Sequence, residues 1–353
     1  MHCGLRRNTM KRFKHVPHWL KIIVSLSIIL GLMLGVYFYF SQRNSVYRSI
    51  EQDLSIVADL KVKQITDWKN ERLGDAQVIK ENGEIQNGWL DDQLFLTANA
   101  IEILESLQQA YNYQHILLVD PVTATAVTID EQPMEIHSFA VEAAKQALGA
   151  NEIVVTDIHQ IEDVYRPHFD IAIPYPDAVN GDGRVILLQT GMEEFLYPLL
   201  QSWPTASTTG ETLLIEQIGD EVVFLNDLRH VENAALNLRI PLTEDDVPAI
   251  MAVKGITGPV KGVDYRDVPV SAVIKPVPET DWFMISKMDI KEINQQWMLQ
   301  TFALIITVIL FVVSAITGAS YLWQRDEKQY FLGELETAQA LRESEERFRV
   351  YIE

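Results

Sequence analysis

The stretch Val46–Val78, VYRSIEQDLSIVADLKVKQITDWKNERLGDAQV, sets Val46, Ile50, Leu54, Val57, Leu60, Ile65, Trp68 and Val78 mostly three or four residues apart. Glu51, Asp53, Lys61, Lys63 and Lys69 fall between them. That period gathers the apolar side chains on one stripe of a helix and leaves the charges outside. Roughly 35 helical residues reach about 50 Å, more than a small domain is wide. The helix is therefore expected to be the spine of a tall domain.

Immediately upstream lies Ile22–Phe40, IIVSLSIILGLMLGVYFYF, without a charge. As a helix it covers roughly the 30 Å of a hydrocarbon core. A second run, Phe302–Leu322, sits in a stretch free of Asp, Glu, Lys and Arg from Ile293 to Gln324. Trp19, Trp297 and Trp323 lie just outside the two runs, and Tyr37, Phe38, Tyr39 and Phe40 close the first, as interfacial aromatics do. Two transmembrane helices are expected, at 22–40 and 300–323. Arg6, Arg7, Lys11, Arg12, Lys14 and Lys21 precede the first with no acid among them, which places both termini in the cytoplasm and the middle of the chain outside the plasma membrane. FYFSQRNSV offers no small-residue cleavage site, so the first run reads as an uncleaved anchor rather than a signal peptide.

The formal charge of -20 is uneven: residues 1–21 carry +6 and residues 324–353 carry -3, leaving -23 between them. A field of that sign repels nucleic-acid phosphates and anionic lipid headgroups. Cationic, zwitterionic or small neutral ligands remain. The single cysteine, Cys3, precedes the first run, so the outer region has neither a disulfide nor a thiolate metal site.

Downstream of the long helix the pattern changes to strands. A shorter helix through Leu94, Ile101, Leu104 and Leu107 leads to QHILLVD, ATAVTID, EIVVTDI, HFDIAIPY and RVILLQT, short Val- and Ile-rich segments interrupted by one helix near Phe139–Leu148. After Trp203 a second set follows: TLLIEQI and EVVFLND flank a Gly219–Asp220 turn, and VPVSAVIKPV and WFMISKMD flank a turn around Pro278–Thr280. The expected class is α+β, with two antiparallel-sheet subdomains in series.

This layout, with DLKVKQITDWKNERLGDAQVI and the stretch from FLYPLLQSWPTASTTGETLLIEQIGDEVVFLNDLRH through PAIMAVKGITG to VDYRDVPVSAVIKPVPETDWFMISKMD, resembles the double Cache sensor domains of bacterial sensor histidine kinases and diguanylate cyclases. The resemblance covers about residues 45–292. It implies a sensor domain over 44–292 made of two tandem PAS-like subdomains, distal at about 80–195 and proximal at about 200–292. Where that branch usually has Gly after Asp-Tyr-Arg, this chain has Asp267, which puts the turn in question.

The tail QYFLGELETAQALRESEERFRVYIE sets Phe331, Leu335, Ala338 and Leu341 on one helical stripe, as a two-stranded coil requires. A coiled-coil linker is expected over 324–345. ESEERFRVYIE resembles the opening of a PAS domain at 346–353, which implies an output module beyond Glu353. No HAMP-like segment lies between the second run and the coil, which leans toward a kinase or cyclase and away from a chemotaxis receptor. Dimerisation through the long helix and the coil is the expected frame for signalling, and a tethered binding protein or hydrolase is the contrasting reading.

The resemblance places ligands in the distal subdomain. There TDIHQIEDVYRPHFD supplies Asp157, His159, Tyr165, Arg166, His168 and Asp170: an Arg fork for a carboxylate, an Asp for an amine, an aromatic wall. The plainer reading is a surface loop with local ion pairs. The spacing of an amino-acid-binding signature is not met, since Tyr165 and Arg166 are adjacent and no Trp-Tyr pair follows. Asp264, Tyr265 and Arg266 could line a proximal pocket or simply hold a turn. DAVNGDG lacks EF-hand spacing, with Leu188 where the closing Glu belongs, and reads as a turn. The eight His are scattered without metal-ligand spacing, so neither metal nor cofactor is expected. No nucleophile elbow or P-loop occurs, and no catalytic residue is assigned.

Overall fold

The computed structural model describes residues 18–90, 94–160, 167–176 and 183–350. The chain forms two units, Arg48–Ile293 and, separately, Met1–Tyr47 with Asn294–Glu353. The first element, α1 (His18–Glu81), runs through both.

Within Arg48–Ile293 the buried stripe of α1 steps by three and four through Ile50, Leu54, Val57, Lys61, Ile65, Trp68, Arg72, Ala76 and Ile79. Two expected stripe positions fall outside it: Leu60 and Val78 are exposed, each one residue and so about 100° off the stripe. Two cations take places inside it because their heads find acceptors. Lys61 Nζ donates to the Leu199 carbonyl and to Ser202 Oγ at 2.7 Å. Arg72 donates to the Tyr111 carbonyl at 3.2 Å and lies over the rings of Tyr111 and Tyr113 at 4.9 and 5.2 Å.

Beyond α1, Asn82 caps α2 (Gly83–Gln86) by accepting from the Glu84 and Ile85 amides. Then come α3 (Ala98–Tyr111), β1 (His115–Asp120), β2 (Thr125–Thr128), β3 (Pro133–Met134), α4 (Ser138–Ala150), β4 (Val154–Val155), β5 (His168–Pro176) and β6 (Gly183–Gly191). The strands form an antiparallel sheet of order β3-β2-β1-β6-β5-β4. Small residues let α4 lie close to it: Ala140, Ala143, Ala144 and Ala147 pack on Leu117, Val119, Ala172, Val185 and Leu187. The strand expected over EIVVTDI is only two residues long. Past Val155 the ladder is interrupted where the Thr156 hydroxyl takes the Asp170 amide at 2.8 Å, and it resumes as a single bridge between His159 and His168.

The second half contains α5 (Leu196–Gln201), β7 (Glu211–Ile218), β8 (Glu221–Phe224), β9 (Arg239–Pro241), α6 (Pro248–Val253), β10 (Gly258–Val263), β11 (Pro269–Pro276) and β12 (Trp282–Asp289). Its sheet, of order β10-β11-β12-β7-β8-β9, is also antiparallel throughout. Leu213, Ile215, Phe224, Ile274 and Ile285 of the strands meet Ala249, Ile250 and Ala252 of α6 in one core. The β7–β8 hairpin turns at Gly219, whose φ of 62° suits a residue without Cβ. Asp267 has φ of 59°, so the turn keeps the left-handed geometry that glycine would take, closed by Asp267 N–H to the Asp264 carbonyl at 2.9 Å.

β12 passes without a linker into α7 (Ile290–Val350). In the other unit, the segments of α1 and α7 expose Ile22, Leu26, Ile29, Leu30, Met33, Phe302, Ile306, Ile309 and Leu310. Both helices are long and apolar enough to cross a membrane. Gly31 and Gly35 put α1 backbone beside α7: a Cβ on either would lie 3.7–4.0 Å from Val308, Phe311 or Val312.

Candidate ligand site

Two polar clusters stand out, one on each sheet. In the second sheet, Asp264, Tyr265 and Arg266 sit at the β10–β11 turn against Lys287, 1% exposed near the C-terminal end of β12. Lys287 Nζ lies 2.7 Å from Asp264 Oδ2 and 2.8 Å from Glu211 Oε2. Arg266 binds Asp264 Oδ2 through Nε at 2.8 Å and Asp289 Oδ1 at 2.6 Å. Tyr265 donates to Glu211 at 3.0 Å, and its ring lies beneath Lys287, 5.0 Å from Nζ. Burial alone would push the Asp264 carboxyl up, but Arg266 and Lys287 hold it below the usual carboxylate range. The three residues spend their polar groups on one another and on the sheet beneath. A cavity of about 290 Å³ adjoins the network at Glu211, lined also by Gln201, Thr212, Asp227 and Arg229.

In the first sheet, β5 carries His168 and Asp170 two residues apart, hence on one face, the face on which Ala172 meets α4. The His159–His168 bridge brings His159 alongside, and His137 arrives as the N-cap residue of α4. Asp170 is fully buried, His168 and His159 nearly so. Asp170 Oδ2 lies 3.4 Å from His159 Nε2 and 3.6 Å from His137 Nε2, and Oδ1 lies 4.0 Å from His168 Nε2. The His137 and His159 Nε2 atoms are 3.4 Å apart. His159 Nδ1 contacts the Asp157 carbonyl at 2.9 Å, and Phe139 stacks on its ring at 5.2 Å. Among the described residues, neither Asp170 carboxylate oxygen accepts a hydrogen bond.

Burial lowers His137 to a pKa of about 4, against the pull of Asp170. Burial also acts downward on His159, but Asp170 and the Asp157 carbonyl outweigh it and hold that ring above its ordinary value. Burial thus dominates at His137, and the carboxylate dominates at His159.

Of the residues expected from sequence, the structure brings His168 and Asp170 together and adds Asp157 through its carbonyl. Tyr165 and Arg166 lie outside the described residues, as do 177–182 of the DAVNGDG turn. His159 of the same stretch joins them through its bridge to His168. His137 was missed: it is 22 residues from His159, and its only local signal is a cap position before an alanine-rich helix. Three of the scattered His therefore converge in space without any spacing that announces it. Asp157 also faces a cavity of about 200 Å³ lined by Trp68, Lys69, Phe169, Glu279 and Trp282.

No family model matches the chain, and none of the curated proteins does. Solved structures match its fold. The ligand-binding domain of Mlp24 with asparagine aligns with a TM-score of 0.52 at 15% identity, over 73% of this chain and 99% of that one. The sensory domain of the Campylobacter jejuni chemoreceptor Tlp3 aligns with a TM-score of 0.51 at 14% identity, over 72% and 98%. The same receptor's domain in complex with 4-methylisoleucine gives 0.51 at 15%, over 71% and 94%.

The fold is double Cache. Identities this low establish architecture and not ligand. In this double Cache domain three imidazoles and a buried carboxylate gather where the N-terminus of α4 meets the edge of the first sheet.

Proposed function

We propose that this chain is the sensory input half of a bacterial transmembrane receptor. A small extracytoplasmic ligand binds the distal subdomain, residues 80–195, and the proximal subdomain, residues 200–292, passes the change to the second span, residues 300–323. The coil over 324–345 joins two copies and carries the change to an output module beyond Glu353, a histidine kinase or a diguanylate cyclase. The observation that carries this reading is the direct passage of β12 into α7. It is pinned by Glu292 in the first helical turn, which accepts from Ser207 Oγ at 2.9 Å, from the Thr208 and Thr209 amides at 3.2 and 2.8 Å and from both threonine hydroxyls. A direct covalent passage of this kind couples a shift of the sheet to the start of the helix, with helix shifts typically about 1–2 Å. A ligand biases the output only by its differential affinity for the two arrangements.

The chemoreceptor origin of the similar Tlp3 structures favours a second reading, a chemotaxis receptor of the same input design. Fusing the chain to a diguanylate cyclase reporter and measuring cyclic-dinucleotide output in cells given amines, organic acids, amino acids and metal salts tests the proposal. An output change with one ligand class, lost in Glu292→Ala, is expected. A ligand that binds the chain and leaves the output unchanged refutes the transmission.

A further inference from the structure

The cluster on the first sheet has the geometry of a coordination sphere. In a tetrahedral site with bonds of about 2.0–2.2 Å, neighbouring ligand atoms stand roughly 3.3–3.6 Å apart. Three edges here, His137 Nε2 to His159 Nε2, His159 Nε2 to Asp170 Oδ2 and Asp170 Oδ2 to His137 Nε2, measure 3.4, 3.4 and 3.6 Å. His168 Nε2 stands as the fourth vertex at 4.0 Å from the carboxylate, and one donor atom from each residue lies within 4.8 Å of the others. These separations are long for hydrogen bonds. Among the described residues the fully buried Asp170 carboxylate has no close hydrogen-bond donor, only imidazole nitrogens at 3.4–4.0 Å, an arrangement that costs several kcal/mol unless a cation compensates.

We propose that His137, His159, His168 and Asp170 form a four-ligand site for a divalent late first-row transition-metal ion, and that this ion is the ligand of the distal subdomain. The second half rests on the sensory reading above. Three imidazoles and one carboxylate suit Zn²⁺, Ni²⁺ or Cu²⁺ and not Ca²⁺ or Mg²⁺, which take oxygen ligands in larger number. Four protein ligands leave no open position, which suits binding rather than hydrolysis. The Asp157 carbonyl accepts from His159 Nδ1–H and so turns the Nε2 lone pair inward. His137 differs, because its Nδ1 takes the Ala140 amide at 3.4 Å. Coordination through Nε2 moves the ring proton to Nδ1 and gives up that long contact, so the first turn of α4 feels the ion directly.

The test uses the full chain in detergent, carrying a tag without histidines and Cys3→Ser, stripped with chelator and titrated with Zn²⁺ and Co²⁺. One equivalent of Zn²⁺ and the intense visible bands of four-coordinate Co²⁺ are expected. Asp170→Asn and His159→Ala should each weaken Zn²⁺ by at least 100-fold, and His137→Ala by less. Circular dichroism and melting without metal show that each variant is folded, and the Co²⁺ spectrum of the unsubstituted chain decides even where a variant is not. Sub-stoichiometric Zn²⁺, six-coordinate Co²⁺ spectra or unchanged affinity in the folded variants overturns the site. A spin label on α7 separates the two halves: full binding with no change in the label leaves a metal site and overturns the ion as stimulus. A change with an organic ligand but not with Zn²⁺ keeps the sensory reading and overturns the metal.

Discussion

Glu216 should make the double Cache domain less stable as the pH rises through neutrality. It lies on β7 opposite Trp282, is 6% exposed, and its Oε2 accepts no hydrogen bond. Burial, with Asp157 and Asp281 nearby, pushes its carboxyl up to about 7 from an ordinary 4.5. The folded state therefore holds a proton that the unfolded chain releases earlier. Below pH 4.5 both states are protonated and the residue costs nothing. Between 4.5 and 7 the unfolded chain gains by ionising, and above 7 the full penalty stands. At about 1.4 kcal/mol per pH unit the penalty is at most about 3.5 kcal/mol. Glu216→Gln removes it while keeping the shape. At roughly 2–4 °C per kcal/mol for a domain of this size, the variant should melt up to about 7–14 °C above the parent at pH 8.5 and level with it near pH 4.5. Other titrating groups are common to both proteins and cancel in the difference. Melting curves of the two across that range decide the matter, and a constant gap refutes the buried, protonated Glu216.

Lys287→Met leaves Glu211, Asp264 and Asp289 facing Arg266 alone and should cost about 3–5 kcal/mol, read as a lower denaturant midpoint. Asp267→Gly relieves the left-handed φ of 59° and should raise the melting temperature, by a free energy of up to about 1 kcal/mol. Gly31→Leu should drive α1 from Phe311 and Val312 and weaken helix pairing in a membrane, measurable as reduced cysteine cross-linking between the two helices in bilayers. Glu292→Ala removes the acceptor that ties residues 207–209 to the start of α7 and should increase amide exchange over Ile290–Ile293 while leaving β7 and β12 protected.

Composition and period alone determined the α+β class, the two charge-free helices, the long amphipathic helix and most strands, because burial on one face writes a period of 2 or 3.6 directly into the chain. The Gly219 hairpin and the β11–β12 pair were legible for the same reason. Tertiary structure decided what periodicity cannot encode. Lys61 and Arg72 face inward on α1 because the Leu199 and Tyr111 carbonyls happen to meet them there, and Leu60, apolar but one residue off the stripe, faces out. EIVVTDI is mostly loop because a Thr156 hydroxyl substitutes for the ladder at Asp170. The candidate site was half visible: His168 and Asp170 alternate on one strand, but His137 and His159 join them only through the closure of α4 and the bridge at the edge of β5. A coordination sphere is a set of distances between atoms remote in sequence, and only the folded chain, by packing four alanines of α4 against the sheet, brings those atoms within reach of one ion.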